Sequence, residues 1–193
     1  MLVAIDGADG AGKTVLADDL APLLPGSVRA SLDDFHHPRA YRHARGRTGE
    51  TVWARSFDLE AVRRELLDPW QRGTGSSYRR RWHDLTSDRL ADDRPDTVPE
   101  AGVLVVDGVF AQRPELADTW DLVVWVHADD AVRIARMALR DGVSGDPDHP
   151  EQRRYLDAQA IYRTQCAPEQ RADLVVDNTD PERLRVVGTK DPG

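Results

Sequence analysis

A chain of 193 residues fits one domain with a single sizeable core, and 40% hydrophobic with 31% charged residues is a globular composition, with no apolar run near the roughly 18 residues of a membrane span. A net charge of −8 argues against a nucleic-acid groove, whose affinity comes from Lys and Arg neutralising phosphates. Cys166 is the single cysteine, which excludes an intrachain disulfide, and the absence of a basic leader makes a cytoplasmic protein with no membrane partner the expectation.

The first element expected is a strand at Leu2–Ile5, an apolar run typical of sheets covered on both faces. It leads into Gly7-Ala8-Asp9-Gly10-Ala11-Gly12-Lys13-Thr14, which matches the P-loop pattern of Gly, four residues, Gly, Lys and Ser or Thr. Glycines there let backbone N–H groups turn inward toward phosphate oxygens. The helix that follows adds its unsatisfied N–H groups and positive dipole end. Ala8, Asp9, Gly10, Ala11, Gly12, Lys13, Thr14 and Val15 are therefore expected to hold a nucleoside triphosphate. Lys13 would reach the β- and γ-phosphates and the Thr14 hydroxyl would ligate Mg2+.

Leu16, Leu20, Leu23 and Leu24 form a helical stripe that Pro22 should bend or shorten. A second strand, Val28–Leu32, runs into Asp33-Asp34-Phe35. Two stretches, about 36–57 and 73–102, are polar and rich in Arg, His, Gly or Pro, and read as flaps around a substrate mouth. Between them Leu59, Val62 and Leu66 make a second helical stripe. Strand Val103–Val106 ends in Asp107-Gly108, and strand Leu122–Val126 follows. Val132, Ala135 and Leu139 mark a third helix. A lid at about 133–150 has its tip at Gly142–Pro147, before a helix at Glu151–Gln165 and a last strand at Leu174–Val176. This alternation predicts an α/β fold, a single P-loop NTPase domain over residues 1–193. Its architecture would be a three-layer sandwich with a mainly parallel five-stranded sheet and helices on both faces.

In such a sheet ligands bind beyond the carboxyl ends of the strands. Asp107, after a hydrophobic strand, has the Walker-B placement for Mg2+ or its water, with a plain Asp-Gly turn as the alternative. A carboxylate at Asp33 or Asp34 could accept the proton of an attacking hydroxyl, or could simply cap a turn. Arg133, Arg136 and Arg140 share one helical face, an arrangement that suits an anion lying among them. His36 and His37 have no acidic or cysteine partner at metal spacing, which argues against zinc.

A P-loop opening at residue 7, then Ser31-Leu32-Asp33-Asp34-Phe35, Phe57-Asp58 and Asp107-Gly108-Val109-Phe110, resembles the uridine kinase and nicotinamide riboside kinase family. That family lies within the phosphoribulokinase-like group, and the likeness runs from Leu2 to about Asp180. The resemblance implies transfer of the ATP γ-phosphate to the 5′-hydroxyl of a nucleoside, with ATP and Mg2+ as cofactors. It implies Asp33 as general base, Asp58 on the ribose diol, and Arg133 and Arg136 as lid arginines on the transferring phosphoryl group. It also implies that Asp177–Pro181 lies near adenine.

Base recognition in that family comes from flap residues, so Trp53, Tyr78 and His83, with Trp82 and Asp84, are the candidates here. Tyr78–Asp84 departs from the usual pattern, and Asp107 stands where many relatives carry Glu. Arg39, Arg42, Arg45 and Arg47 would suit an acceptor that already bears negative charge. A sugar phosphate, a pantothenate-like compound or another small alcohol is therefore an alternative acceptor. A nucleotide-binding regulatory module is a further alternative, although no Asn-Lys-x-Asp or Ser-Gly-Gly-Gln signature supports it. The expected partner is a small-molecule acceptor, with homo-oligomerisation left open.

Overall fold

The computed structural model describes residues 1–190. In chain order it runs β1 (Leu2–Gly7), α1 (Lys13–Leu20), a 3-10 turn (Ala21–Leu23), β2 (Val28–Ser31) and a second 3-10 turn (Leu32–Phe35). The first flap contains α2 (Arg39–His43) and α3 (Gly49–Arg55). One helical rod follows, made of α4 (Leu59–Ala61), a π-helical turn (Val62–Leu67) and α5 (Asp68–Arg72). The second flap holds β3 (Ser77–Tyr78), β4 (His83–Asp84), β5 (Arg89–Leu90) and β6 (Asp96–Thr97). The remainder is β7 (Leu104–Gly108), β8 (Leu122–His127), α6 (Asp130–Asp141), α7 (Pro150–Cys166), α8 (Pro168–Arg171), β9 (Leu174–Asp177) and β10 (Arg185–Thr189).

The central sheet has six strands in the order β10-β9-β8-β1-β7-β2, all parallel except β10, which pairs antiparallel with β9. The sixth strand corrects the expected five. It lacks a distinctive apolar run, with Val186 and Val187 largely exposed, so only its pairing with β9 makes it a strand. Val3, Ile5, Val105, Val124 and Val126 face one side of the sheet and pack with Ala17, Leu16 and Leu20 of α1. Leu104, Val106, Trp125 and Ala4 face the other side, against Leu32, Phe35, Leu66, Phe110 and Tyr162. These two cores give three layers, and each fully buried Leu or Phe contributes about 1.5–3 kcal/mol.

Register places the site. Ile5 pairs with Asp107 in the β1–β7 ladder, and Ser31 pairs with the same Asp107 in the β2–β7 ladder. The P-loop after β1, Asp107 at the end of β7 and the turn after β2 therefore stand side by side along the carboxyl edge.

The first flap is helical. Gly49 opens α3 against α7, and a Cβ there would meet Ala158 N at 2.9 Å, so the two helices approach to a distance that only glycine permits. Thr48 caps α3 by accepting from Thr51 N, and Thr51 reciprocates. The second flap forms two small antiparallel ladders, β3 with β6 and β4 with β5. Trp82 N donates to Asp34 O at 2.9 Å and ties that flap to the turn after β2.

The stripe expected on α6 is corrected. Its buried face is Arg133, Ile134 and Met137, while Leu139 is 91% exposed. The arginine face turns inward because it finds carbonyl acceptors there, described below. No described helix is long and apolar enough to cross a membrane.

Candidate active site

The loop between β1 and α1 has the shape its glycines require. Gly10 has φ +76°, and a Cβ on it would meet Arg133 O at 2.5 Å, so both the backbone angle and the space exclude a side chain. No side chain caps the start of α1 among the described residues, which leaves its first N–H groups available to an anion. Lys13 is buried and its Nζ donates to Ala8 O at 2.9 Å, so the ammonium lies folded over the loop. A cavity of about 210 Å3 opens here, lined by Gly10, Gly12, Lys13, Thr14, Arg136 and Arg140.

Thr14 Oγ1 donates to Asp107 Oδ2 at 2.5 Å. This hydroxyl–carboxylate pair at the phosphate cavity is the donor set that magnesium takes when it keeps most of its ligands from water and phosphate. Among the described residues no group of three or more His, Cys, Asp or Glu could hold a metal ion. The other Asp107 oxygen is 3.0 Å from Arg29 Nη2, a partner that sequence reading missed. Its only sequence signal is a charge inside the otherwise small and apolar strand Val28–Ser31.

Asp33 and Asp34 separate clearly. The charges acting on Asp33 are His36, Lys13, Asp9 and Asp107, so it faces the P-loop. Asp34 feels Arg81, Asp33, Asp107 and Asp93, and lines a cleft with Arg80 and Arg81 on the second flap. Asp33 is exposed by surface area, yet its carboxyl behaves as desolvated. Desolvation raises its pKa above the ordinary carboxylate value, with His36 and Lys13 opposing. Asp34 is raised to about 6, again chiefly by desolvation and against the pull of Arg81.

The α6 arginines grip backbone. Arg133 Nη1 donates to Asp9 O at 2.8 Å and Nη2 to Asp130 at 2.6 Å, with the side chain 3% exposed. Arg136 Nη2 donates to Asn178 O at 2.9 Å, and Nη1 lies 3.5 Å from Gly10 O. Arg133 thus holds the P-loop, whereas Arg136 chiefly holds Asn178 and also lines the cavity beside Lys13 and Thr14. Arg140 lines the phosphate cavity and pairs with Asp141 at 2.6 Å. Beyond Gly12 a mainly apolar cleft of about 270 Å3 lies between Val15, Leu16, Arg136, Asn178, Pro181 and Leu184.

Several sequence candidates are placed elsewhere. Tyr78 is buried against Trp70 and borders a cleft with Ala21 and Val28, at the amino end of β2 away from the phosphate cavity. Trp53 packs edge-on to Phe110 and beside Tyr162, with Arg113 over its ring, as part of the core. His83 is 1% exposed and faces Asp88 at 3.3 Å. Each was expected at the mouth because aromatic residues in polar segments look like ligand readers, whereas here they fasten the flaps. Asp58 Oδ1 accepts from Ala61 N at 3.0 Å and caps α4, while Oδ2 lies 3.9 Å from His37.

Beneath the P-loop, sequence reading also missed a buried polar knot. Asp6 Oδ1 accepts from Gly7 N at 2.8 Å, and Oδ2 accepts from Gln112 Nε2 at 3.0 Å and from the Tyr162 hydroxyl. Burial raises the Asp6 pKa, and these bonds oppose it. An acid ending an apolar strand just before the motif was its only signal.

This fold and site define a P-loop domain, and residues 3–161 match the family model described as AAA domain. The chain belongs to that family. Among solved structures it is similar to a protein from Bacillus stearothermophilus described as a possible uridine kinase, with TM-score 0.70, 22% identity, and 91% of this chain and 87% of that one covered. It is also similar to a candidate fructose transport system kinase from Silicibacter sp. TM1040, with TM-score 0.63, 25% identity, and 83% and 84% coverage. No curated protein sequence matches the chain. What the chain shares with both structures is the α/β P-loop fold.

Proposed function

We propose that the protein is an ATP-dependent kinase that phosphorylates the hydroxyl of a small molecule. The observation that carries this reading is the row of Lys13, Asp107 and Asp33 along one sheet edge, with Lys13 and Asp107 among the charges that act on Asp33. The apolar cleft beside Asn178 takes the adenine, and the loop N–H groups with Lys13 take the triphosphate. Thr14 and Asp107 would hold magnesium, which supplies charge neutralisation across the β- and γ-phosphates.

In the transfer, Asp33 accepts the proton of the acceptor hydroxyl as its oxygen bonds to the γ-phosphorus. The bond to the β–γ bridging oxygen breaks, and its electron pair leaves with ADP. Arg133 and Arg136 keep the loop in shape, and Arg140 borders the cavity that the phosphoryl group crosses. Lid closure between α6 and α7 would exclude water, which otherwise competes as acceptor.

For the acceptor, the family resemblance supports a nucleoside 5′-hydroxyl, with Asp58 on the ribose. A different small alcohol is the second reading, favoured by the burial of Tyr78 and His83 and the packing of Trp53 against the core, the residues that would have read a base. An ADP-release assay across nucleosides, sugars, sugar phosphates and hydroxy acids tests the proposal. Stimulation by one class supports it, and equal basal ADP release with every compound contradicts it.

A further inference from the structure

The first flap encloses a second cavity of about 240 Å3, walled chiefly by His36, Arg39, Arg42, His43, Arg47 and Arg154. These cations are poorly neutralised. Among the described residues no carboxylate lies within 4.0 Å of the Arg39, Arg42 or Arg154 guanidinium, and Arg47 has only Glu151 at 3.9 Å. Asp88, on a neighbouring turn, accepts the backbone N–H of Arg39 at 2.8 Å and faces His83. Arg42 Nε donates to His37 O at 2.8 Å, which orients the side chain without engaging its terminal nitrogens. Arg154 Nη2 donates to Tyr155 OH at 2.9 Å, and its buried Nε has no partner. Arg80 pairs with Asp96 at 2.8 Å and Arg81 with Asp93 at 2.7 Å, whereas among the described residues Arg45, Arg55, Arg72 and Arg136 also have no carboxylate within 4.0 Å; what sets Arg39, Arg42 and Arg154 apart is that they line one cavity.

The chain has 34 acidic and 26 basic residues, so carboxylates are in excess. Guanidinium groups gathered without them repel one another, and an oxyanion between them relieves that repulsion through charge-assisted, bidentate hydrogen bonds. The cavity also has the right address. His36, one of its walls, has Nδ1 2.8 Å from the carbonyl oxygen of Asp33, so the arginine cavity begins three residues from the proposed base. The α3–α7 packing at Gly49 holds its two sides together, with Arg39, Arg42 and Arg47 from the flap and Arg154 from α7.

We infer that the acceptor alcohol carries an anionic group, a phosphate or a carboxylate, which Arg39, Arg42 and Arg154 seat in this cavity while its hydroxyl faces Asp33. The inference rests on the kinase reading above and narrows it, because a neutral nucleoside has no group for these arginines. The test is calorimetric titration of the full chain, with saturating Mg–ADP present, using ribose 5-phosphate, glycerate and ribose as probes. At least one anionic probe should bind about tenfold or more tighter than ribose. Phosphate and carboxylate are told apart by which of the two does so. Arg42→Ala and the exposed-site variant Arg39→Ala should remove that preference, Arg42→Lys should restore part of it, and Mg–ADP affinity should stay unchanged.

Equal binding of anionic and neutral probes, or a preference that survives Arg42→Ala and Arg39→Ala alike, overturns the inference. Anion selectivity without acceptor-stimulated ADP release would uphold the cavity and sink the kinase reading. Efficient phosphorylation of a neutral nucleoside, untouched by Arg42→Ala, would do the reverse.

Discussion

Asp33 and Asp34 are adjacent in sequence but occupy different environments. Asp33 shares its field with Lys13 and Asp107, whereas Asp34 looks toward Arg81 and Asp93. Asp33→Asn should lower kcat by about 10²–10⁴ and leave the KM for ATP within about twofold. Unchanged turnover in that variant, measured on the true acceptor, would move the base elsewhere. Because desolvation raises the Asp33 pKa, the acid limb of the kcat/KM profile should lie above the ordinary carboxylate range.

Asp34 provides a separate pH test. Its folded-state pKa of about 6 exceeds the unfolded value, so the native state binds its proton more tightly than the unfolded chain does. The stability from that proton is fully present below the unfolded pKa and is lost as pH rises through about 6. Asp34→Asn should therefore melt higher than wild type at pH 8, with the gain shrinking as pH falls through this window. Melting curves across pH check it, and a gain that grows toward acid would contradict it. The identity of both acids was legible in the sequence, since a strand delivers them to the carboxyl edge. Which one shares its field with Lys13 was not, because that depends on how the 3-10 turn at Leu32–Phe35 rotates each side chain.

At the scale of elements, α6 and α7 act on the P-loop from two sides. Arg133 on α6 holds Asp9 O from above, and Tyr162 on α7 reaches Asp6 from below. Replacing Arg133 by Met should free the loop and weaken Mg–ATP binding about tenfold, roughly 1.4 kcal/mol, and an unchanged Kd would show that the contact is idle. Tyr162→Phe strips a partner from both Asp6 and Gln112 N, which costs about 1–3 kcal/mol. A melting temperature lower by about 2–4 °C per kcal/mol is expected for a domain of this size.

Helix α6 was legible as a helix but not in its orientation. Periodicity placed Val132, Ala135 and Leu139 inward, yet Arg133 and Arg136 turn in, since the carbonyls of Asp9, Gly10 and Asn178 are acceptors that only a folded loop presents. The flaps failed for a related reason. Tyr78 and His83 are buried, and Trp53 packs against the core, only when distant elements close over them, and no local pattern records that packing.

For the whole molecule, the parallel sheet and its ligand edge were readable because apolar runs and the P-loop pattern are local signals. Strand order was not readable, although it is what puts β7 between β1 and β2 and so seats Asp107 between the P-loop and the turn that carries Asp33. On the proposed reading Mg–ATP would bind the native state through this assembled edge, so at 100 times its Kd it should stabilise the fold by about 2.7 kcal/mol. Lys13→Ala should abolish that thermal shift, and a shift of wild-type size in the variant would place the nucleotide elsewhere.

The most direct measurement follows the fate of a labelled ATP γ-phosphate when the protein is offered Mg2+ and the acceptor panel. Transfer of the label to an organic hydroxyl, lost in Asp33→Asn, is the predicted result. Label that leaves only as inorganic phosphate, or stays on ATP with every acceptor, would contradict a kinase.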